Sequence, residues 1–343
     1  MTNKFITVIF LFSFLSCSKI GTLNLQRHQY GESAENVVWM QIPGLTDEHI
    51  ALLKFGFNDF LQKSSLERIA CIGKSWNYNL YNLRPTPESD FLAQVTGKNN
   101  IKNLCSDFKL TPIWDYLYRD GYSTGVFEVG SSLTQSFENS KHCDDNKFLE
   151  KVILWKMSKR TNSKNTELFH FQENWPILDK KIYYDKSCQQ GECYSTPIKN
   201  INSIYKEFRK KFTKSLFIYR DFSFYNALIK RDIRLAREKL IEIEKIFDFF
   251  YEWQRKNRGT LLLLTSSSAQ EVEFPSMGKN WGKFEMKGKF LNFKKAKLIS
   301  SVYAIGSGAE KFCGFYNASD ILSRILWDPD ENKSLLERLL PIQ

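Results

Sequence analysis

The sequence predicts an α/β protein with a doubly wound, mostly parallel sheet flanked by helices and an inserted cap region. Two observations lead to this prediction. Residues 260–265 contain four consecutive leucines, with Gly259 before them and small polar residues after them, which is the pattern of a strand buried on both faces. Residues 112–129 contain a helix face, an Asp-Gly turn and an apolar run, which together form one helix-turn-strand step of such a sheet.

The core begins with an apolar run at residues 36–42, NVVWMQI. This run ends abruptly at Pro43-Gly44 and indicates a first strand. Thr46 is a suitable cap for the helix expected next, because its side chain accepts hydrogen bonds from backbone N–H groups. Residues 66–72 are predicted to form a second short strand.

The middle of the chain contains one clear helix start and one irregular stretch. Thr86 precedes Pro87, and Ser89 follows three residues later, which predicts a helix with Thr86 as its N-cap. Residues 140–200 are rich in Lys, Asn, Asp and Ser and contain only short apolar bursts. We expect this stretch to be an inserted cap or subdomain with little regular structure.

Core-like sequence returns after residue 200. We predict, in order, a helix at 201–214, a strand at 215–219, a long helix at 224–255, the leucine strand, a β-extension at 284–289 and 296–305, and a closing helix at 318–327. The expected organisation is a signal peptide (1–17), a tether (18–34), the first part of the core (35–139), the cap (140–200), the second part of the core (201–330) and a tail (331–343).

The N-terminal segment indicates export. Lys4 precedes an apolar run at residues 5–15, which is too short to cross a bilayer of about 30 Å as a helix and suits a secretory signal. Residues 14–17, Phe-Leu-Ser-Cys, resemble a bacterial lipobox with phenylalanine where leucine is usual, so Cys17 is the predicted lipidation site. The alternative is cleavage after Ser18 without a lipid. We expect a periplasmic or cell-surface protein held to the membrane by its N-terminal lipid.

Composition is compatible with a large folded core. The chain has 343 residues, 42% of them hydrophobic, and a formal net charge of +11. Its lysines are scattered along the sequence, so we interpret the charge as a solvated basic surface. No nucleic-acid partner is expected.

Six cysteines follow Cys17, and an even number in an exported chain permits disulfides. Cys188 and Cys193 flank a short segment that contains a glycine, and we expect them to be joined. A metal site at this pair is not favoured because no histidine lies near it. The pairing of the other four cysteines stays open: Cys71, Cys105, Cys143 and Cys313.

The candidate ligand site follows the leucine strand. In open α/β sheets, ligands bind in the crevice beyond the carboxyl ends of the strands, which places residues 265–269 there. These residues are a threonine, three serines and an alanine. They include none of the Asp, Glu or His side chains that metal or acid/base chemistry requires.

Three runs of the chain resemble the alkaline phosphatase superfamily. Residues 302–322, VYAIGSGAEKFCGFYNASDIL, are similar to the strand, G-x-G-A-x-x-F-x-G turn and helix opening at the end of that domain. Residues 112–129 resemble its helix-turn-strand ahead of the cap region, and residues 261–269 resemble the strand that normally ends in Thr-Ser/Ala-Asp-His-Gly. The pieces occur in the same order, so the resemblance covers residues 36–330 and implies an alkaline phosphatase-like fold.

The resemblance also implies a chemistry. Active members are metal-dependent phosphate- or sulfate-ester hydrolases that use a Ser, Thr or modified Cys nucleophile between two metal ions. Carried over residue by residue, Pro43 stands at the place of an aspartate, Ser267 and Ser268 at the place of an Asp-His pair, and Lys295 at the place of a histidine. We therefore predict a decayed metal site without a cofactor, and expect zinc or another divalent metal only in an active hydrolase.

A nucleophile candidate survives. Thr86 matches the superfamily's Ser/Thr at a helix start, although one residue out of register, and Ser89 is a poorer choice. The other reading of Thr86 is a plain N-cap. Glu128 and Asp221, at the ends of predicted strands, are either remnants of the metal-ligand set or ordinary solvated or paired carboxylates.

The sequence favours an exported, lipid-anchored pseudoenzyme that binds or scaffolds at the cell envelope. Its expected partners are an anionic ligand or an envelope protein. The alternative is a phospho- or sulfo-ester hydrolase with rearranged ligands drawn from Thr86, Glu128, Asp221 and either His142 or His170. The histidines are few, and none stands at the end of a predicted core strand: His28, His49, His142 and His170.

Overall fold

The structure is a computed structural model. It describes residues 33–54, 65–69, 71–102, 104–144, 147–160, 166–170, 182–188, 193–276, 278–294 and 297–326. The predicted signal peptide, Cys17 and Lys295 lie outside the described residues.

The described strands are β1 (Asn36–Gln41), β2 (Cys71–Trp76), β3 (Ser123–Val129), β4 (Val152–Met157), β5 (Thr166–Phe169), β6 (Ile182–Asp185), β7 (Ser215–Asp221), β8 (Thr260–Thr265), β9 (Val272–Glu273), β10 (Asn292–Phe293), β11 (Ile299–Gly306) and β12 (Gly314–Asn317). The described α-helices are α1 (Asp47–Lys54), α2 (Pro87–Thr96), α3 (Ile113–Arg119), α4 (Pro197–Lys211), α5 (Ser223–Ile229), α6 (Ile233–Lys256), α7 (Gly278–Lys287) and α8 (Asp320–Leu326).

Ten strands form one sheet in the order β12-β2-β11-β8-β1-β7-β3-β4-β6-β5. Strand β11 is antiparallel to both of its neighbours, and every other pair in this sheet is parallel. The leucine strand β8 pairs with β1 and β11 and is buried along its whole length. The predicted doubly wound, mostly parallel sheet is therefore confirmed.

The two faces of the sheet carry separate hydrophobic cores. On β1, Val38 and Met40 belong to one core, and Val37 and Trp39 belong to the other. The first core is closed by helices α4, α5 and α6, and the second by α2, α3 and α8. Because successive side chains of a strand point to opposite faces, a strand covered on both sides is apolar throughout, which explains the unbroken apolar runs of β1 and β8.

Residues 140–200 were expected to form an inserted cap with little regular structure. This expectation is wrong for the strands that the structure describes in this stretch. This stretch supplies β4, β6 and β5, which extend the main sheet in parallel beyond β3. The run VILWKM of β4 is buried at all six positions. Polar residues in the connections around these strands dominate the local composition, so the composition did not indicate that the strands are buried in the core.

Three smaller predictions also need correction. The long helix expected at residues 224–255 is two helices, because Arg231 adopts a positive φ of 59° and Asp232 starts a new cap by accepting a hydrogen bond from Leu235 N at 3.0 Å. Residues 284–287 end helix α7 and do not form a β-extension. The second strand starts later than predicted, at Cys71.

The described chain contains three disulfides. Cys188–Cys193 is the predicted pair and is confirmed. The four cysteines left open pair as Cys71–Cys313 and Cys105–Cys143. Cys71–Cys313 ties the first residue of β2 to the residue before β12, so it fastens one edge of the sheet. None of the described helices is long and apolar enough to cross a membrane.

Loop length predicts how much each of two disulfides stabilises the fold. Cys71 and Cys313 are 242 residues apart, whereas Cys188 and Cys193 are 5 apart. In the chain-entropy description, serine replacement of both cysteines lowers the free energy of unfolding by about 5 kcal/mol for the long loop and about 2 kcal/mol for the short one. Urea denaturation without reductant measures both values. Equal losses in the two double variants would contradict the expectation.

Candidate functional site

The first turn of α2 is built around Thr86. Its Oγ1 accepts a hydrogen bond from Ser89 N at 3.4 Å, and Ser89 Oγ donates to the Thr86 carbonyl at 3.0 Å. Pro87 occupies the first helical position. The predicted N-cap is therefore confirmed. Thr86 is exposed, and its role as a vestigial nucleophile stays a prediction.

One row of polar residues crosses the sheet near the carboxyl ends of its parallel strands. Directly paired residues on neighbouring strands point to the same face, so these side chains lie side by side on the face covered by α2. All are buried. In sheet order the row consists of Thr265, Gln41, Arg220, Glu128, Lys156 and Tyr184.

The charged members of the row are neutralised within the protein. Arg220 Nη1 donates to Glu128 Oε1, and both side chains are at most 1% exposed. The guanidinium of Arg220 also stacks 3.6 Å from the ring centre of Phe137. Farther along the row, Lys156 Nζ donates to Glu138 Oε2 at 2.6 Å, and the Tyr184 hydroxyl donates to the same oxygen. Buried charges are stable only in such pairs.

The other end of the row is uncharged. Trp39 Nε1 donates to Thr265 Oγ1 at 2.9 Å, and Thr265 Oγ1 donates to Gln94 Oε1 at 2.8 Å. Gln94 Nε2 in turn donates to the Ser266 carbonyl at 3.1 Å, which ties α2 to the end of β8. Gln41 is fully buried, yet neither atom of its amide has a hydrogen-bond partner among the described residues.

Asp90 is the most unusual carboxyl group of the crevice. It lies one turn before Gln94 on α2, is 2% exposed, and accepts a hydrogen bond from the backbone N–H of Ser268. Its Oδ2 has no partner among the described residues. Burial raises the pKa of Asp90 to about 8, against the smaller opposite effect of the Ser268 N–H. The group is therefore largely protonated at neutral pH.

The structure brings together three of the predicted vacated metal positions. Pro43 and Gly44 follow β1, and Gly44 N donates to the Ser267 carbonyl at 2.8 Å. Ser267 and Ser268 are buried beside them in the loop after β8. Lys295, the fourth predicted position, lies outside the described residues. The carboxyl ends of β1 and β8 thus meet at one place, as adjacent parallel strands require.

The two possible ligand remnants are both engaged by the protein. Glu128 accepts hydrogen bonds from Phe137 N at 3.0 Å and from Ser136 Oγ, in addition to its ion pair. Asp221 accepts hydrogen bonds from Ser223 and from the Tyr219 hydroxyl. Burial raises the pKa of Asp221 in spite of these hydrogen bonds.

A cavity of about 320 Å³ adjoins the first turn of α2. Its polar lining includes Glu88, Thr134, Asn139 and Arg220, and its apolar lining consists of Leu92, Phe108 and Phe137. This volume suits a small organic molecule, and the mixture of apolar walls with a few polar groups is typical of ligand sites.

Comparison with solved structures identifies the architecture. The chain superposes on the alkaline phosphatase from the Antarctic bacterium TAB5 with a TM-score of 0.64 at 14% identity, covering 88% of this chain and 99% of that one. The protein has an alkaline phosphatase-like fold. The Thermus thermophilus alkaline phosphatase gives a TM-score of 0.69 at 9% identity, with 89% and 93% covered. The Listeria monocytogenes lipoteichoic acid synthase LtaP gives 0.51 at 10% identity, with 85% and 71% covered.

The predicted resemblance is thus confirmed at the level of the fold. No protein-family model and no curated protein sequence matches the chain. Identities of 9 to 14% establish the architecture and leave the chemistry to be argued from the side chains.

The side chains that the structure describes at Pro43, Ser267 and Ser268 are not those of a metal cluster. Among the described residues, no group of three or more His, Cys, Asp or Glu side chains converges in a way that would hold a metal ion. His49 is buried in α1, where its Nδ1 faces Thr46, and burial lowers its pKa to about 4. His142 is exposed in the turn at Phe137–His142. Besides the protonated Asp90, the crevice groups without a partner among the described residues are hydroxyl and amide groups, which are poor zinc ligands.

Sequence reasoning found the loop after β8 but missed the polar row. A signal for the row exists, because Gln41, Glu128, Lys156 and Arg220 are each a charged or amide residue that follows hydrophobic residues near the end of a strand. Which of them are neighbours depends on strand order, which the sequence does not state. Asp90 was missed because a carboxylate in the first turn of a helix is usually a solvated partner of the helix dipole.

Asp90 predicts a pH-dependent term in stability. Its pKa rises from 3.8 to about 8 on folding, so below pH 4 Asp90 is protonated in both states and costs no stability by titration. As the pH rises above 4, Asp90 ionises in the unfolded chain, and the free energy of unfolding falls until the folded protein also ionises near pH 8. The Asp90→Asn side chain cannot titrate. The variant should therefore keep the free energy of unfolding, on the order of 5 kcal/mol, that the wild-type protein loses through this titration. In urea denaturation, the free energy of unfolding of the variant relative to that of wild type should therefore increase between pH 5 and pH 9.

Asp120→Asn is the matched control, because Asp120 is exposed at the end of α3. It should follow the wild-type pH profile. An Asp90→Asn profile parallel to that of wild type would show that Asp90 is ionised in the folded protein.

Proposed function

We propose that this protein, which has an alkaline phosphatase-like fold, does not hydrolyse esters. It binds a small polar ligand in the crevice at the carboxyl ends of its parallel strands. We further propose that it is exported, lipid-anchored at Cys17, and acts by binding or scaffolding at the cell envelope. The proposal rests first on the character of the crevice.

The observation that carries the proposal is a set of buried, unpartnered and uncharged polar groups. Gln41 Nε2 and Oε1, Asp90 Oδ2, Ser266 Oγ and Ser267 Oγ all lack partners among the described residues. Each such group costs about 1 to 3 kcal/mol when it is left without a hydrogen bond. Their grouping on β1, on α2 and after β8 supports a site where a bound molecule completes the hydrogen bonds.

The same groups argue against hydrolysis. Two-metal hydrolysis requires anionic and imidazole ligands around the ions, and a protonated Asp90 carries no negative charge with which to hold them. Glu128, the one carboxylate of the polar row, already accepts hydrogen bonds from Arg220 and from Phe137 N. No observation of the described residues favours the rearranged hydrolase with His142 or His170.

The ligand class follows from the same chemistry. Hydroxyl, amide and carboxyl O–H groups donate hydrogen bonds to phosphate or sulfate oxygens, and Arg220 lines the adjoining cavity. Glu88 lines the same cavity and opposes a second negative charge on the ligand. We therefore favour a monoanion or a neutral hydroxylated molecule over a dianion.

Export is supported by the three disulfides, because such bonds persist in oxidising compartments. Lipid attachment rests on the sequence at residues 14–17 alone. The two parts of the proposal are therefore tested separately.

Metal content and ester hydrolysis test the non-hydrolytic assignment. Protein purified in metal-free buffer should contain no stoichiometric zinc, and aryl phosphate and aryl sulfate should turn over at the buffer rate, because no ion or base activates a hydroxyl. Thr86→Ala should leave these rates unchanged and lower the free energy of unfolding by about 1 kcal/mol through loss of the N-cap.

Ser89→Ala controls for damage to the same helix turn. Stoichiometric zinc, or turnover that disappears in Thr86→Ala and persists in Ser89→Ala, would refute the proposal and establish the hydrolase.

Metabolic lipid labelling tests the anchor. The wild-type chain should incorporate the fatty-acid label and Cys17→Ala should not, because only a thiol at this position can form the thioether of a lipoprotein. Cys188→Ala should label like wild type. Equal labelling of wild type and Cys17→Ala, or none in either, would exclude the anchor.

A further inference from the structure

Two adjoining loops expose a cluster of large apolar side chains. Leu80 is 67% exposed, Tyr81 59%, Leu83 70% and Leu104 58%. Singly exposed apolar residues are common on proteins, whereas a cluster of them indicates contact with another apolar phase. Together with the neighbouring cations, these residues form what we call the Leu80 surface: Leu80, Tyr81, Leu83, Arg84, Lys98, Lys102 and Leu104.

Hydrogen bonds from buried side chains and between the two loops hold the backbone of the Leu80 surface in place. Asn79 is buried, and its Nδ2 donates to the Ile101 carbonyl at 2.6 Å while its Oδ1 accepts from Tyr81 N at 2.9 Å. Leu80 N donates to the Asn99 carbonyl at 2.8 Å, which joins the two loops directly. The buried carboxylate of Asp107 accepts from Lys102 N and Leu104 N at 2.9 and 3.0 Å. The apolar side chains are thus presented by an ordered backbone, which reduces the entropy lost on binding.

The charges of this surface have one sign. Arg84, Lys98 and Lys102 are exposed, and Lys102 Nζ lies 4.8 Å from the ring centre of Tyr81. Between residues 77 and 109 the acids are Glu88, Asp90 and Asp107, of which Glu88 is half-buried in α2 and the other two are buried. Leucine and tyrosine side chains interspersed with lysine and arginine form the combination that partitions into the interface of anionic bilayers.

We propose that the Leu80 surface is a membrane-binding face that docks on anionic lipid. The leucines and the tyrosine enter the boundary between head groups and acyl chains, and the three cations meet the lipid phosphates. Because residues 77–86 connect β2 directly to the first turn of α2, this orientation places the Thr86 end of the crevice next to the bilayer. The inference is independent of lipidation at Cys17 and of the absence of hydrolysis.

Hydrogen exchange on vesicles tests the inference with local resolution. The full chain with Cys17→Ala, which excludes any lipid at that residue, is mixed with phosphatidylglycerol-containing or pure phosphatidylcholine vesicles. Backbone amides at 79–84, 98–102 and 104 should exchange several-fold more slowly on the anionic vesicles, and the slowing should be smaller on the neutral ones. The local readout separates this face from membrane contacts of the N-terminal segment.

Two variants and one control sharpen the test. Leu80→Ser/Leu83→Ser should abolish the protection. Lys98→Glu/Lys102→Glu changes only exposed side chains and should require at least about thirtyfold more anionic vesicle for the same protection, because the attraction of two cations to the anionic surface is lost. Tyr118→Ser should change nothing: Tyr118 is 48% exposed with Lys151 Nζ 5.0 Å from its ring, but it lies at the end of α3.

Absence of protection on anionic vesicles, or protection that survives both double variants, would overturn the proposal. A protein partner would then be the occupant to seek. Equal protection by the neutral vesicles would also overturn it, because the three cations would have no role. Thermal unfolding of each variant shows whether it has folded.

Discussion

The buried ion pair between Arg220 and Glu128 constrains the centre of this protein. Both groups lie on central strands beneath α2, where an unpaired charge costs about 3 to 5 kcal/mol. A slip of one residue between β7 and β3 would move one of them to the opposite face and leave both unpaired. The pair therefore fixes the register of the two strands, and through it the level at which the polar row crosses the sheet.

That register also decides the chemistry of the crevice. Glu128 is the one carboxylate of the polar row and could in principle bind a metal. Its oxygens, however, already accept hydrogen bonds from Arg220, Ser136 Oγ and Phe137 N. Among the described groups without a hydrogen-bond partner, Asp90 and Gln41 are both uncharged at neutral pH. The alkaline phosphatase-like architecture thus contains buried polar groups that can donate and accept hydrogen bonds without carrying charge. We propose that these groups bind a polar molecule, because uncharged groups hold two metal cations less well than carboxylates and imidazoles do.

The two proposals concern neighbouring parts of one edge. The crevice is neutral and buried, whereas the Leu80 surface is apolar, cationic and exposed. They are joined by residues 77–86, which run from β2 to the helix whose first turn adjoins the cavity. A protein held on a bilayer by this face would offer its crevice to molecules at the membrane surface. Lipid attachment at Cys17 and docking through Leu80 would then act in the same direction.

The sequence by itself determined the architecture, because strands buried on both faces are written as unbroken apolar runs such as those of β1 and β8. It also determined the Thr86 cap and the Cys188–Cys193 disulfide, since both depend on residues close together in the chain. Local composition misled at residues 140–200, where polar connections hide three sheet strands. Only the tertiary structure decided the distant contacts: which cysteines pair across 242 residues, which polar residues share a row, and that burial keeps Asp90 protonated. The reason is physical, because pairing and desolvation are set by neighbours that are remote in sequence.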